Sequence, residues 1–121
     1  MSTSTRVTVR LPVQLEMDFM QRVITDGYGM KGKSKWVSEA ILHFMQLEDF
    51  EEYVEYAEEL EKAGVSKLQS FYLELNLVRS LKDAVIKVRR VHPHLEGVRS
   101  LIVRSSIIQR LFREKGVYSG L

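Results

Sequence analysis

A short strand pattern that cannot fold alone, and that the chain carries twice, constrains this protein most. Val7, Val9 and Leu11 alternate with Arg6, Thr8 and Arg10 until Pro12 stops the run, the period of two expected of a strand with one buried face. From Val13 the period becomes helical. Leu15, Phe19, Met20 and Val23 form one stripe, which the glycines of Asp26-Gly27-Tyr28-Gly29 end. After a loop from Met30 to Gly32, Trp36, Val37, Ala40, Ile41, Phe44 and Met45 form a second stripe. At an offset of 66 the pattern returns: Tyr72-Leu-Glu-Leu-Asn-Leu77 answers to Arg6–Leu11, and Ile102, Val103, Ser106 and Ile107 answer to Trp36, Val37, Ala40 and Ile41. Only six of the 43 pairs aligned from Arg6/Tyr72 to Glu48/Glu114 are identical, so the repetition lies in the apolar pattern.

A lone strand of this length, followed by two helices, leaves its apolar face uncovered and its backbone groups unpaired. Two such strands set side by side and antiparallel satisfy each other, with four helices closing over Val7, Val9, Leu11, Leu73, Leu75 and Leu77. The expected fold is mainly α with a two-stranded antiparallel β-ribbon, a single pseudo-two-fold domain over residues 1–121. Residues 6–47 make the first unit, 48–69 an acidic helical connector, and 70–115 the second unit. In the second unit a helix is expected from about Ser80 to Val91, broken by His92-Pro93, and another from about Arg99 to Arg113. Asp49-x-x-Glu52 has the form of a capping box opening the connecting helix, with Phe50, Tyr53, Val54, Ala57 and Leu60 on its apolar side. Trp36, Met17, Met20 and Met45 read as core.

The chain has 121 residues, 45% of them hydrophobic, enough for one compact domain. No apolar stretch approaches 18 residues and Met1–Thr5 lacks the apolar segment of a signal peptide, so the expectation is a cytoplasmic protein without a membrane partner. With no cysteine, disulfides and thiolate chemistry are excluded. The net charge of +2 conceals a segregation: Glu48 to Lys62 holds eight acids and one base, leaving the rest of the chain with all but one of the 18 bases and half of the 16 acids. A basic surface of that size favours a polyanion, nucleic acid first. His92 and His94 have no carboxylate cluster beside them, and no nucleophile paired with a base or phosphate-binding glycine motif is found. No metal, cofactor or enzymatic activity is expected.

With its strand Arg6–Pro12, the following amphipathic helix and Gly32-Lys-Ser-Lys-Trp-Val-Ser-Glu-Ala-Ile41 opening a second, the chain resembles the ribbon-helix-helix (MetJ/Arc/CopG-like) family of DNA-binding proteins, here in a tandem single-chain form. The resemblance implies that the outward strand residues enter the major groove of double-stranded DNA, a docking mode known for β-ribbon readers. Those positions are Arg6, Thr8 and Arg10 on one strand and Tyr72, Glu74 and Asn76 on the other. The chemistry suits: arginine can pair with guanine, asparagine with adenine, and glutamate can accept from cytosine. Glu74 has the alternative of pairing with an arginine across the ribbon. The family also holds phosphate at the start of the second helix, which maps onto Gly32, Lys33, Ser34 and Lys35, and onto Arg99 and Ser100 in the second unit.

The function this implies is sequence-specific DNA binding, as a transcriptional repressor reading an asymmetric, non-palindromic site or direct repeats bound by several monomers. The monomer would act as an intramolecular pseudo-dimer, alone or with several side by side on DNA. The alternatives are a relaxosome accessory protein of a DNA-transfer system, or an antitoxin-like or scaffold module whose acidic connector holds a basic partner.

Overall fold

The computed structural model describes residues 3–29, 31–54 and 66–114. Strand β1 (Ser4–Pro12) pairs antiparallel with β2 (Ser66–Glu74), with Thr8 opposite Ser70 at the centre of the ladder. Each strand runs straight into a pair of helices: α1 (Val13–Thr25) and α2 (Lys33–Met45) after β1, α3 (Leu75–Val91) and α4 (Val98–Glu114) after β2. The protein is therefore mainly helical, with one two-stranded antiparallel sheet among the described residues. Among those residues no helix is long and apolar enough to cross a membrane.

One face of the ribbon is the floor of the core. Val7, Val9 and Leu11 from β1 and Phe71 and Leu73 from β2 are buried against the helices, as the alternation along each strand requires. Phe19 of α1 meets Trp36 and Phe71 edge to face, with ring centroids 5.3 and 5.7 Å away, and so ties α1 to α2 and β2. Trp36, Val37, Ala40 and Ile41 are buried on α2, and Ile102, Val103, Ser106 and Ile107 on α4.

A buried cation locks α4 to the α1–α2 corner. Arg110 donates from Nη1 to the Trp36 carbonyl (2.8 Å) and from Nη2 to the Tyr28 hydroxyl (3.0 Å), while its guanidinium lies 4.4 Å from the centroid of a Trp36 ring. Glu39 lies 3.3 Å from Nη1, and Trp36 Nε1 donates to Asp26 at 2.8 Å. These bonds compensate for the loss of hydration that burial imposes on the guanidinium.

The second strand departs from the sequence expectation. Leu73, Leu75 and Leu77 are not one inward row: β2 ends at Glu74, Leu75 is 40% exposed in the first turn of α3, and Leu77 is buried as a helical residue. Leu77, Leu81, Ala84 and Val88 form the buried stripe of α3; Leu77 fits both that helical stripe and the alternation that begins at Leu73, whereas Leu75 fits only the alternation. In the first unit Pro12 marks where the strand ends; the second has no such residue. Across the ladder Thr8 faces Ser70, 62 residues on, whereas Trp36 and Ile102 match at an offset of 66. The loop after α3 is one residue shorter than that after α1, so α4 starts 65 residues after α2, while α3, with 17 residues, exceeds α1, with 13, by four. That is about one helical turn.

The connector differs too. Asp49 adopts a left-handed conformation (φ 58°) and its side chain makes no capping bond, so the expected capping box gives way to a 3-10 turn at Phe50–Glu52. Glu51 is buried 3.5 Å from Lys87 of α3 and is not part of a solvated face. Phe50 packs on Phe44 at 5.7 Å, as its apolar assignment requires. Residues 66–69 belong to β2, while Ala57, Leu60, Glu55, Glu58, Glu59 and Glu61 lie outside the described residues. Met17, expected in the core, is 56% exposed on α1.

His43 on α2 has its pKa lowered from 6.5 by burial and by the charges of Arg113 and Arg110. The unfolded chain therefore binds this proton more tightly than the folded one, and stability is lost as pH falls below about 6.5, down to the lowered folded value. His43→Gln is expected to flatten this part of the profile, measured as denaturation midpoints between about pH 7.5 and 5.5. Leu77→Ala is expected to cost about 2–5 kcal/mol and Leu75→Ala under about 1 kcal/mol in urea titrations. Equal costs would contradict the strand-to-helix junction at Glu74.

Candidate nucleic-acid interface

The face of the ribbon turned away from the helices is polar and open. On β1 it carries Arg6, Thr8 and Arg10, all exposed as expected. On β2 it carries Leu68, Ser70, Tyr72 and Glu74, so only Tyr72 and Glu74 of the expected reading set on that strand are in place. Asn76 is exposed in the first turn of α3, beyond the ribbon, because the chain has already turned helical at Leu75.

Register decides what each side chain meets. Arg6 lies opposite Tyr72, Thr8 opposite Ser70, Arg10 opposite Leu68, and Glu74 at the end of the ladder opposite Ser4. The arginines lean diagonally across the ribbon: Arg6 donates from Nε to Ser70 Oγ at 3.2 Å and Arg10 from Nη1 to Ser66 Oγ at 3.4 Å. The Thr8 and Ser70 hydroxyls lie 3.0 Å apart between them. Each arginine thus bonds a serine across the ribbon.

Ser66, Leu68 and Ser70 were not anticipated. Counting back from Phe71 and Leu73 by twos would have placed them outward, but the inner positions upstream are Gln69 and Lys67, and the apolar alternation fades there. Gln69 tolerates the inner face because it is bonded at both ends. Lys33 Nζ donates to its Oε1 at 2.9 Å, and its Nε2 donates to Glu16 at 3.1 Å.

The candidate phosphate anchor at the start of α2 sits against the edge of β2. Ser34 Oγ accepts the Tyr72 backbone N-H at 2.9 Å. Lys33 is half-buried on Gln69, with its ammonium 5.9 Å from the Phe71 ring centroid, whereas Lys35 is exposed. Around them the first-turn backbone N-H groups have no intrahelical acceptors and favour an anion. Gly32 closes this corner by close approach: a Cβ there would lie 2.2 Å from the Tyr28 carbonyl oxygen.

The second candidate anchor is built differently. Arg99 is exposed and Ser100 half-buried in the first turn of α4. From α4 the fully buried Arg104 reaches the ribbon, its Nη1 donating to the Arg10 carbonyl at 2.9 Å. His92 and His94 stack edge to face with centroids 6.0 Å apart. No group of three or more possible metal-ligating His, Cys, Asp or Glu occurs among the described residues. Compared with models of known protein families, with curated proteins and with solved structures, the chain matches none.

Gly32→Ala forces the α2 start away from the Tyr28 carbonyl. Denaturant titration is expected to give a loss of about 1–3 kcal/mol, the usual cost of overpacking.

Proposed function

We propose that the chain is a single-chain ribbon-helix-helix protein, an intramolecular pseudo-dimer of two strand-helix-helix units, that binds double-stranded DNA with its ribbon in the major groove. The use we infer for it is transcriptional repression. The observation that carries the reading is the outer face of the ribbon: exposed, polar apart from Leu68 and the Tyr72 ring, and bearing two arginines from one strand. A two-stranded ribbon fits a groove about 12 Å wide, and arginine is the residue best suited to guanine O6 and N7.

The helical offset supports the pseudo-dimer. Allowing α3 its extra turn, the second helices align at 66 residues, and buried Trp36, Val37 and Ile41 match buried Ile102, Val103 and Ile107. Beside the ribbon, Lys35 and the first-turn N-H groups of α2 supply a phosphate contact that sets register without reading bases. Lys33, held by Gln69, contributes charge from behind.

The proposal is tested by affinity for a selected duplex and for random duplex over a range of salt. Affinity should fall steeply, with a slope of roughly 0.9 per phosphate neutralised; absence of duplex binding at low salt rejects the reading. Arg10→Ala should lower specific affinity by about 1–3 kcal/mol and relax base preference. Lys35→Ala should weaken both duplexes alike and reduce the salt slope by about 1.

A further inference from the structure

Two strands related by an approximate two-fold axis would present a reading face with the same symmetry, each arginine on one strand answered by an arginine on the other. The side chains do not follow that rule. Both arginines stand on β1, four positions apart, and each has a large side chain directly opposite and a serine on one diagonal, with Glu74 on the other diagonal of Arg6 and Ser70 on that of Arg10. Arg6 has Tyr72 directly opposite and leans on Ser70; Arg10 has Leu68 directly opposite and leans on Ser66. Stepping four residues along β1 and four back along β2 carries one set onto the other. The face repeats by translation.

Each set has the parts of a base-pair reader. The serine holds one guanidinium nitrogen and fixes the direction of the fork. For Arg6 the bonded atom is Nε, which leaves both terminal nitrogens for a bidentate contact with guanine, while Arg10 is bonded through Nη1 and keeps Nη2 and a second Nη1 hydrogen for one. Beside it stands a large side chain with an apolar surface, Tyr72 at 58% exposure in one set and Leu68 at 63% in the other. Such a surface suits the C5-methyl group of thymine. Between the sets, Thr8 and Ser70 share a hydrogen bond.

Resting on the DNA-binding reading above, we propose that the ribbon reads one guanine-and-thymine element twice in the same orientation. Both guanines lie on the same DNA strand. Four strand residues span about 13 Å, and successive phosphates of one DNA strand advance about 3.4 Å along the axis, so the interval is about three to four base pairs. The ligand is a short direct repeat, and one monomer suffices to recognise it.

Selection from a random duplex pool tests this with the full chain and with Arg6→Ala and Arg10→Ala. The full chain should return two guanines on one strand at that interval, and each variant should lose the requirement for a different one. Replacing either guanine by 7-deazaguanine, which lacks the N7 acceptor, should weaken the full chain about tenfold or more and leave the matching alanine variant unaffected. Guanines on opposite strands in an inverted arrangement, or a single required guanine, overturn the direct repeat while leaving DNA binding intact. A pool that yields no bound duplex overturns the DNA reading itself.

Discussion

The ladder between Ser4–Pro12 and Ser66–Glu74 joins segments far apart in the chain, and each strand is the other's hydrogen-bonding partner. An isolated two-stranded ribbon is marginal in water, so this one depends on the apolar cover its own helices supply. The helices in turn need the floor formed by Val7, Val9, Leu11, Phe71 and Leu73. Pairing and packing form together, and the polar face is left outside because side chains in a strand alternate.

On this common frame the two units are finished differently. On α4, Arg110 occupies the place that Phe44 has on α2 at the offset of 66, and it bonds to Trp36 and Tyr28 where Phe44 packs on Phe50. At the ribbon edges, Ser34 holds the backbone of β2 at Tyr72 and Arg104 holds that of β1 at Arg10. Helix side chains thus bond to the backbone of two outward residues, whose own side chains lie on the outer face. The result is a scaffold of repeated apolar pattern whose outer residues differ from one strand to the other.

Much of this was legible in residue order. Val7, Val9 and Leu11 against Arg6, Thr8 and Arg10, with Pro12 as a stop, specify β1 and its two faces. The stripes of α1 and α2, with glycines between them, specify those helices and most of their buried residues. The second unit was legible only where its pattern admits one period. Leu77 belongs at once to the alternation that starts at Leu73 and to the helical stripe of Leu81, Ala84 and Val88, so the alternation extends the strand too far and places Asn76 on an outer ribbon face from which it is absent. Lys33 shows the same limit on a smaller scale, since nothing in its neighbours in sequence reveals Gln69 beneath it.

The sequence by itself determined the element types, the need for two strands to meet, and the outward row of β1, because each follows from local periodicity and from backbone groups that must be paired. The tertiary structure decided the register between the strands, the extra turn of α3, and the serines that orient the arginines. Those depend on which residues lie opposite one another across a ladder closed over some sixty residues of chain. A shift of four residues keeps every strand side chain on its own face while changing all its partners. Only the pairing itself shows that Arg6 and Arg10 stand in like surroundings, and that the outer face repeats along the ribbon.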